Sequence, residues 1–229
     1  MERNEIIHLI KNKKKMTLVK AFIQSEVELH FEGVKTFGDK SLYLVIGDYL
    51  LIKKVLDENK KYIKTLHIDV INRNSNIGLI NYLNVDCRIE PGAIIREHVT
   101  INKGAVILMG AIVNIGASIG ENTMIDMNAV IGSNASIGKN VHIGAGSVIA
   151  GVLEPPSTNP TIIEDDVFIG ANAVILEGIR VSKGSIVGAG SVVTKDVPPG
   201  VVIGGVPAKV INTINNLDIN KVKNEGDLR

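Results

Sequence analysis

Aliphatic residues recur at every sixth position from Ile89 to Val193. They occupy Ile89, Ile95, Ile101, Ile107, Val113, Ile119, Ile125, Ile131, Ile137, Ile143 and Ile149 and, after an interruption, Ile163, Ile169, Ile175, Val181, Val187 and Val193. A helix would repeat about every 3.6 residues and a simple half-buried strand every 2, so a period of six fits neither element. A six-residue repeat is typical of a parallel β-helix, a solenoid of short strands joined by turns.

The third residue after each aliphatic position predicts a corner. These residues are Gly92, His98, Gly104, Gly110, Gly116, Asn122, Asn128, Asn134, Asn140, Gly146, Asp166, Asn172, Gly178, Gly184, Gly190 and Asp196. Gly, Asn, Asp and His tolerate a positive φ better than other residues, so we expect one left-handed corner per hexad. His98 is therefore interpreted as structural. If each turn of the solenoid has three strands, one coil is three hexads long.

The chain divides into three predicted regions, because six of its eight aromatic residues precede Ile77. Residues 1–76 predict a small α+β domain that caps the solenoid or contacts substrate. Its helices are predicted at Asn4–Lys13 and Asp48–Thr65, and its strands at Glu26–Phe31, Leu42–Ile46 and Leu66–Val70. Residues 77–211 predict the β-helix, and residues 212–229 a tail with a short helix at Asp218–Asn224.

Composition excludes several classes of function. Lys and Arg number 25 against 24 Asp and Glu, so the chain lacks the strong basic bias of a nucleic-acid-binding protein. No apolar run approaches the length of a membrane span, and no signal peptide is evident. The single cysteine, Cys87, excludes an intrachain disulfide and fits structural filler in a reducing compartment. The expected location is the cytoplasm.

The interruption of the repeat predicts a long loop. Thirteen residues separate Ile149 from Ile163 where a regular step leaves five, so eight are looped out within residues 150–162. The loop contains Pro155, Pro156 and Pro160, and Glu154 stands at its base. A long loop that leaves a regular scaffold more often serves function than structure.

The end of the repeat carries a resemblance to a known family. The hexads and the segment "VGAGSVVTKDVPPGVVIGGVPAKVI" (187–211) resemble the hexapeptide-repeat acyltransferases, whose fold is a left-handed parallel β-helix. The resemblance implies that this segment holds an acyl-CoA. The backbone at Gly170, Gly188, Ala189 and Gly190 would approach the pantetheine arm, and Lys195 and Lys209 would meet the phosphates as point charges.

A longer segment narrows the resemblance. Residues 120–178, with "TMIDMN", "GKNVHIGAG" and "GVLEPPSTNPTIIEDD", look like the tetrahydrodipicolinate N-acyltransferases of lysine and diaminopimelate synthesis. The succinyl branch carries a catalytic Asp at the position of Asp126 and a functional Glu where this chain has Val174. That departure, the short N-terminal unit and the "VPAKVI" ending resemble the acetyl branch.

The acetyl branch implies a specific reaction. Acetyl-CoA would be the co-substrate, no metal would be needed, and the acceptor would be the amino group of tetrahydrodipicolinate in its open-chain form, 2-amino-6-oxopimelate. The products would be N-acetyl-2-amino-6-oxopimelate and CoA. The resemblance also implies a homotrimer, with the loop over a cleft between subunits. Several outward positions of the hexads are apolar or small, such as Leu108, Leu176 and Ala150, as expected if a trimer buries these faces between subunits.

Three residues are predicted to be catalytic. Asp126 stands at a hexad place where neighbouring hexads have glycine, and His142 precedes Ile143 at an outward position. Either side chain could accept the proton of the amine, and the sequence does not decide between them. Glu154 is the third candidate. A backbone N–H near Gly144–Gly146 would hold the oxyanion.

The sequence also allows other roles for two arginines and other functions for the chain. Arg96 and Arg180 could bind the carboxylates of the acceptor or form ordinary surface ion pairs. An acetyltransferase acting on another amine, such as an amino sugar nucleotide, is the main alternative enzyme, and a non-catalytic solenoid is a weaker one. A zinc carbonic anhydrase of this fold would need three histidine ligands, whereas the solenoid contains only His98 and His142.

Overall fold

The computed structural model describes residues 3–154 and 159–216, which form two units. One unit is residues 10–77, and the other is residues 78–216 together with residues 3–9. Helix α1 (Arg3–Asn12) therefore begins in the second unit, which differs from the predicted boundary after residue 76. The reason is packing, because Ile6 is fully buried and a Cβ added to Gly116 would lie 2.5 Å from its Cδ1.

Residues 10–77 form an α+β unit, whereas the sequence predicted an α+β domain over residues 1–76. The antiparallel sheet has the strand order β2-β3-β1-β4 and comprises β1 (Leu18–Ser25), β2 (Lys35–Asp39), β3 (Leu42–Asp48) and β4 (Ile63–Val70). Helix α2 (Tyr49–Glu58) buries Ile52 and Leu56 in a core shared with Val19, Ala21 and Ile23 of β1. No helix in the part of the chain that the structure describes is long and apolar enough to cross a membrane.

Two predicted elements of this unit are wrong. Glu26–Phe31 is not a strand, although its alternating apolar residues pack on the core: the backbone N–H of Leu29 donates to the hydroxyl of Tyr43 rather than to another strand. The predicted helix Asp48–Thr65 ends at Glu58. Asp48 caps its start, Asn59 bonds back to the carbonyl of Val55 at its end, and the chain enters β4 at Ile63. The strands β1 and β2 were not predicted.

The second unit is a parallel β-solenoid with three sheets, which confirms the fold predicted from the hexads. The five-stranded sheet contains β7 (Thr100–Ile101), β10 (Ser118–Ile119), β13 (Ser136–Ile137), β16 (Ile162–Ile163) and β19 (Arg180–Val181). The six-stranded sheet contains β6 (Ile94–Ile95), β9 (Ile112–Val113), β12 (Val130–Ile131), β15 (Val148–Ile149), β18 (Val174–Ile175) and β21 (Val192–Val193).

The third sheet has eight strands and ends in an antiparallel pair. It contains β5 (Arg88–Ile89), β8 (Val106–Ile107), β11 (Met124–Ile125), β14 (His142–Ile143), β17 (Phe168–Ile169), β20 (Ile186–Val187), β22 (Val201–Gly204) and β23 (Lys209–Thr213). Strand β23 pairs antiparallel with β22, and all other neighbours in this sheet are parallel.

The register between turns gives the predicted coil length. Ile119 pairs with Ile101 on one side and with Ile137 on the other, so each of these turns is three hexads long. Ile137 pairs with Ile163, so the turn that contains the loop is longer than three hexads by the whole of the inserted segment. Pro155 and Pro156 of this loop and the predicted helix Asp218–Asn224 lie outside the described residues.

The predicted corners have positive φ with one exception. His98, at φ 64°, adopts the corner conformation that its structural interpretation requires. Asp196 does not have a positive φ, and the prediction for it is wrong. Its carboxylate instead accepts a hydrogen bond from the backbone N–H of Arg180, because the regular repeat ends here, and Gly200 and Gly205 make the next left-handed turns.

The solenoid interior combines aliphatic side chains with buried hydroxyl groups. The aliphatic residues of the hexads form one continuous core, against which the half-buried Cys87 packs. Burial raises the pKa of the Cys87 thiol, in agreement with a filler role. Thr123 is fully buried and bonds two turns together: its hydroxyl donates to the carbonyl of Gly138 at 2.7 Å and accepts from the N–H of Val141 at 3.0 Å.

We predict that Thr123→Val destabilises the solenoid, although the two side chains have nearly the same volume. The variant leaves the buried N–H of Val141 and the carbonyl of Gly138 without their hydroxyl partner, which costs about 1–3 kcal/mol. Denaturant unfolding measures the loss. The control is Thr100→Val at an exposed outward position, where we expect a change within about 0.5 kcal/mol. Equal stability of Thr123→Val and the wild type would contradict the prediction.

Candidate active site

One edge of the eight-stranded sheet contains most of the predicted site residues. Asp126, Gly144, Gly170 and Gly188 each follow the second residue of a strand, β11, β14, β17 and β20 respectively. They therefore occupy one position on four successive turns, and we call this row the glycine edge. Asp126 is its only member with a side chain beyond hydrogen.

Glycine is required where these turns approach each other closely. A Cβ added to Gly144 would lie 2.7 Å from the backbone nitrogen of Ala171. At Gly170 it would lie 2.5 Å from the backbone nitrogen of Ala189. Real Cβ atoms do not approach backbone atoms this closely. A larger residue at Gly144 or Gly170 would therefore push the next turn away, and glycine allows the two turns to pack at this distance.

The glycine edge presents backbone N–H groups. Among the residues that the structure describes, the N–H groups of Ala145, Ala171 and Ala189 donate no hydrogen bond to the protein. The equivalent N–H group one turn earlier, that of Met127, donates to Oδ1 of Asp126 at 2.7 Å. Half-buried Ala145 and exposed Ala171 and Ala189 thus provide a row of donors for a bound molecule.

His142 lies directly beside Asp126. Its strand β14 pairs with β11, and the Nε2 of His142 is 4.0 Å from the Oδ2 of Asp126. The two side chains are 19% and 21% exposed, so each is shielded but can still be reached from solvent. The bond from Met127 orients the carboxylate of Asp126, which can stabilise a positive charge that develops on the imidazole.

Phe168 is a site residue that the sequence analysis missed. It pairs in register with His142, and the two rings stack with centroids 4.6 Å apart and planes 11° apart. A search for the outward residue one turn after His142 could have found it. The loop lies between the two residues and moves Phe168 further along the chain than the usual three hexads, so the regular spacing concealed the neighbour.

The other predicted site residues lie on, or follow, other strands of the solenoid. Glu154 is exposed and follows β15, which belongs to the six-stranded sheet. Lys209 is exposed and pairs with Gly204, next to Gly188. Lys195 is exposed after β21 of the six-stranded sheet, and Gly190 makes a corner at φ 68°.

The two candidate arginines already have partners. Arg180 donates to the carboxylate of Glu164, which also accepts from the N–H of Lys183, and these bonds lower the pKa of Glu164. Arg96 donates to Oδ1 of Asn114 at 3.2 Å, and burial lowers the pKa of its guanidinium. Arg180 is thus an ion-paired surface residue, which agrees with the simpler of its two interpretations.

Family models match three parts of the chain. The model described as "Tetrahydrodipicolinate succinyltransferase N-terminal" matches residues 1–82. "Bacterial transferase hexapeptide (six repeats)" matches residues 116–151, and "Hexapeptide repeat of succinyl-transferase" matches residues 160–195. The first and third descriptions name succinyl transfer, whereas the relatives of full length are named for acetyl transfer.

Two bacterial relatives illustrate the similarity along the whole chain. A 2,3,4,5-tetrahydropyridine-2,6-dicarboxylate N-acetyltransferase from Caldanaerobacter subterraneus subsp. tengcongensis is 59% identical over 226 residues, which are 98% of this chain and 94% of the relative. A protein of the same name from Clostridioides difficile is 59% identical over 228 residues, with 98% and 95% covered.

A solved structure shares the solenoid. PerB from Caulobacter crescentus, in complex with CoA and GDP-perosamine, superposes with a TM-score of 0.51 at 29% identity. The match covers 55% of this chain and 57% of that chain. The structural similarity is therefore limited to about half of each protein.

Proposed function

We propose a mechanism from the premise that this chain belongs to the family of 2,3,4,5-tetrahydropyridine-2,6-dicarboxylate N-acetyltransferases, with whose members it shares 52–59% identity over nearly its full length. The enzyme transfers the acetyl group of acetyl-CoA to the amino group of tetrahydrodipicolinate in its open-chain form. It releases N-acetyl-2-amino-6-oxopimelate and CoA, in the synthesis of lysine and diaminopimelate. The identity along the whole chain is the observation that carries this function.

Acetyl-CoA lies along the glycine edge in our proposal. The N–H groups of Ala171 and Ala189 donate to the amide carbonyls of the pantetheine arm, which can approach because Gly170, Gly188 and Gly190 have no side chain. The exposed ammonium groups of Lys195 and Lys209 interact with the phosphates. Among the predicted cofactor-binding residues, Ala189, Lys195 and Lys209 thereby contact acetyl-CoA in this proposal, and Gly170, Gly188 and Gly190 leave room for it.

His142 is the base in this mechanism, because an imidazole changes charge near neutral pH. It takes a proton from the amine as the nitrogen attacks the thioester carbonyl carbon, and Asp126 stabilises the imidazolium that forms. The N–H of Ala145 donates to the oxyanion of the tetrahedral intermediate. Collapse of that intermediate breaks the carbon–sulfur bond, and the imidazolium returns its proton to the CoA thiolate.

The loop supplies the third predicted catalytic residue. Glu154 is exposed, so its carboxylate is available to a substrate at the mouth of the site. We propose that Glu154 holds the acceptor as its ammonium ion, which first loses one proton to solvent, with the loop over a cleft between subunits. The neutral amine then attacks, and His142 takes the second proton as described above. The cytoplasm, which supplies acyl-CoA to biosynthetic enzymes of this kind, is the proposed location.

A homotrimer is supported by the outward face of the six-stranded sheet. Its outward residues are all β-branched and aliphatic: Ile94, Ile112, Val130, Val148, Val174 and Val192. The five-stranded sheet instead presents Thr100, Ser118, Ser136, Ile162 and Arg180. Burial of the aliphatic column against other copies removes this apolar surface from water. The glycine edge leads directly into the six-stranded sheet, so the site would border the interface.

We predict that acetyl-CoA is preferred to succinyl-CoA with tetrahydrodipicolinate as the acceptor. Val174, which replaces a functional Glu of the succinyl branch, and the names of the full-length relatives both favour the acetyl donor. An assay of thiol release with each donor measures the preference. GDP-perosamine as the acceptor is the control for the amino sugar alternative. Faster turnover with succinyl-CoA would assign the chain to the other branch, and faster turnover with GDP-perosamine to another acceptor.

We predict that His142→Asn lowers kcat by about 10²–10⁴-fold, as expected for loss of a general base. Asp126→Asn should cause a smaller loss, and the double variant should lose no more than His142→Asn alone, because Asp126 acts on the charge of His142. Steady-state kinetics with the exposed control Asp86→Asn check this. A larger loss in Asp126→Asn than in His142→Asn would make Asp126 the base.

We predict that Ile112→Glu dissociates the trimer, because it buries a charge in the aliphatic column. Light scattering at micromolar concentration should give three chain masses for the wild type and a lower mass for the variant. Thr100→Glu, at the equivalent outward position of the five-stranded sheet, should remain trimeric. A wild type of one chain mass would refute both the trimer and a site at its interface.

A further inference from the structure

We propose that Phe168 is a positioning residue, whose ring holds the imidazole plane of His142 in the orientation needed for proton transfer. The inference rests on the proposed function, in which His142 is the base. The two rings are stacked at 4.6 Å and 11°, and the backbone register between β14 and β17 sets them face to face.

The position of Phe168 in the sequence is unusual. It is the only phenylalanine after residue 37. On the turns that follow Phe168 in the eight-stranded sheet, the outward residues are the aliphatic Ile186 and Val202. Val106 and Met124 occupy the turns before His142. Phe168 is therefore the only phenylalanine among the outward residues of this sheet, and it lies on the turn next to the imidazole of His142.

Asp126 by itself does not fix the plane of the imidazole. The distance of 4.0 Å between Nε2 and Oδ2 is longer than a hydrogen bond, so the pair provides charge but little directional constraint. The terminal torsion of a histidine side chain is intrinsically broad. Stacking on a half-buried ring narrows that torsion, and the register holds Phe168 itself in place.

The orientation matters because proton transfer requires a base nitrogen within hydrogen-bond reach of the amine. A displacement of about 1 Å at a reacting group can lower the rate by about 10²-fold. Phe168 also covers one face of the imidazole, so that bulk water reaches mainly the edge of the ring. A ring at position 168 should thus affect kcat more than substrate binding.

Steady-state kinetics of Phe168→Leu and Phe168→Tyr test the inference. Phe168→Leu should lower kcat by about tenfold or more while each KM changes by less than about threefold, because binding contacts are kept and only the base is misplaced. Phe168→Tyr retains the ring and should retain most of kcat. Phe37→Leu removes an exposed aromatic ring of β2 and should behave as the wild type. Thermal unfolding of all variants identifies a loss caused by misfolding.

Three kinetic results would overturn the proposal. Phe168→Leu with the kcat of the wild type would show that the stack is not needed. Equal losses of kcat in Phe168→Leu and Phe168→Tyr would show that the reaction requires the exact shape of the phenylalanine side chain and not an aromatic ring as such. A rise in KM with kcat unchanged would make Phe168 a binding residue.

A spectroscopic measurement tests the stack independently of turnover. The ring current of Phe168 should shield the imidazole carbon-bound protons of His142, and Phe168→Leu should move their NMR signals downfield while Phe168→Tyr leaves them shielded. His142→Asn identifies the signal among the five histidines. An unshifted signal in Phe168→Leu would contradict the proposal. If the stack is present but the wild type releases no thiol, the proposed function has failed and not the geometry.

Discussion

The backbone hydrogen bonds between successive turns are the interaction on which the rest of this molecule depends. They join residues that are three hexads apart, such as Met124 and His142, and therefore convert distant sequence positions into neighbours at a fixed register. The hexads supply an aliphatic residue for the interior of each strand and a left-handed residue for each corner. Buried hydroxyls such as that of Thr123 add bonds from one turn to the next.

The same backbone hydrogen bonds between turns bring the residues of the glycine edge together, so this edge does not depend on the conformation of a loop. Asp126, Gly144, Gly170 and Gly188 share one edge because they hold one position on successive turns. The glycines bring backbone donors to the surface, and the single carboxylate stands beside the single outward imidazole of that sheet. In the proposed mechanism, the donors for acetyl-CoA and the Asp126–His142 pair are thus held on one scaffold, which is what catalysis by orientation requires.

The solenoid could be predicted from the sequence because its six-residue period is visible in neighbouring residues of the chain and requires no knowledge of distant contacts. The sequence identified Asp126 and His142 as candidates, but it could not show that they are neighbours until the coil length was known. Phe168 was missed because the inserted loop displaces it from the regular spacing. In residues 10–77 no repeat exists, so Glu26–Phe31 was mistaken for a strand: its alternation is satisfied by burial against Tyr43, without strand pairing.

The central claim is that chemistry occurs on the glycine edge, at the Asp126–His142 pair. A crystal structure of the enzyme with CoA and an analogue of 2-amino-6-oxopimelate tests it most directly. We predict that the pantetheine amides accept hydrogen bonds from the N–H groups of Ala171 and Ala189, and that the acceptor nitrogen lies about 3–3.5 Å from an imidazole nitrogen of His142. A CoA molecule that follows another edge of the solenoid, with its sulfur remote from His142, would contradict the claim.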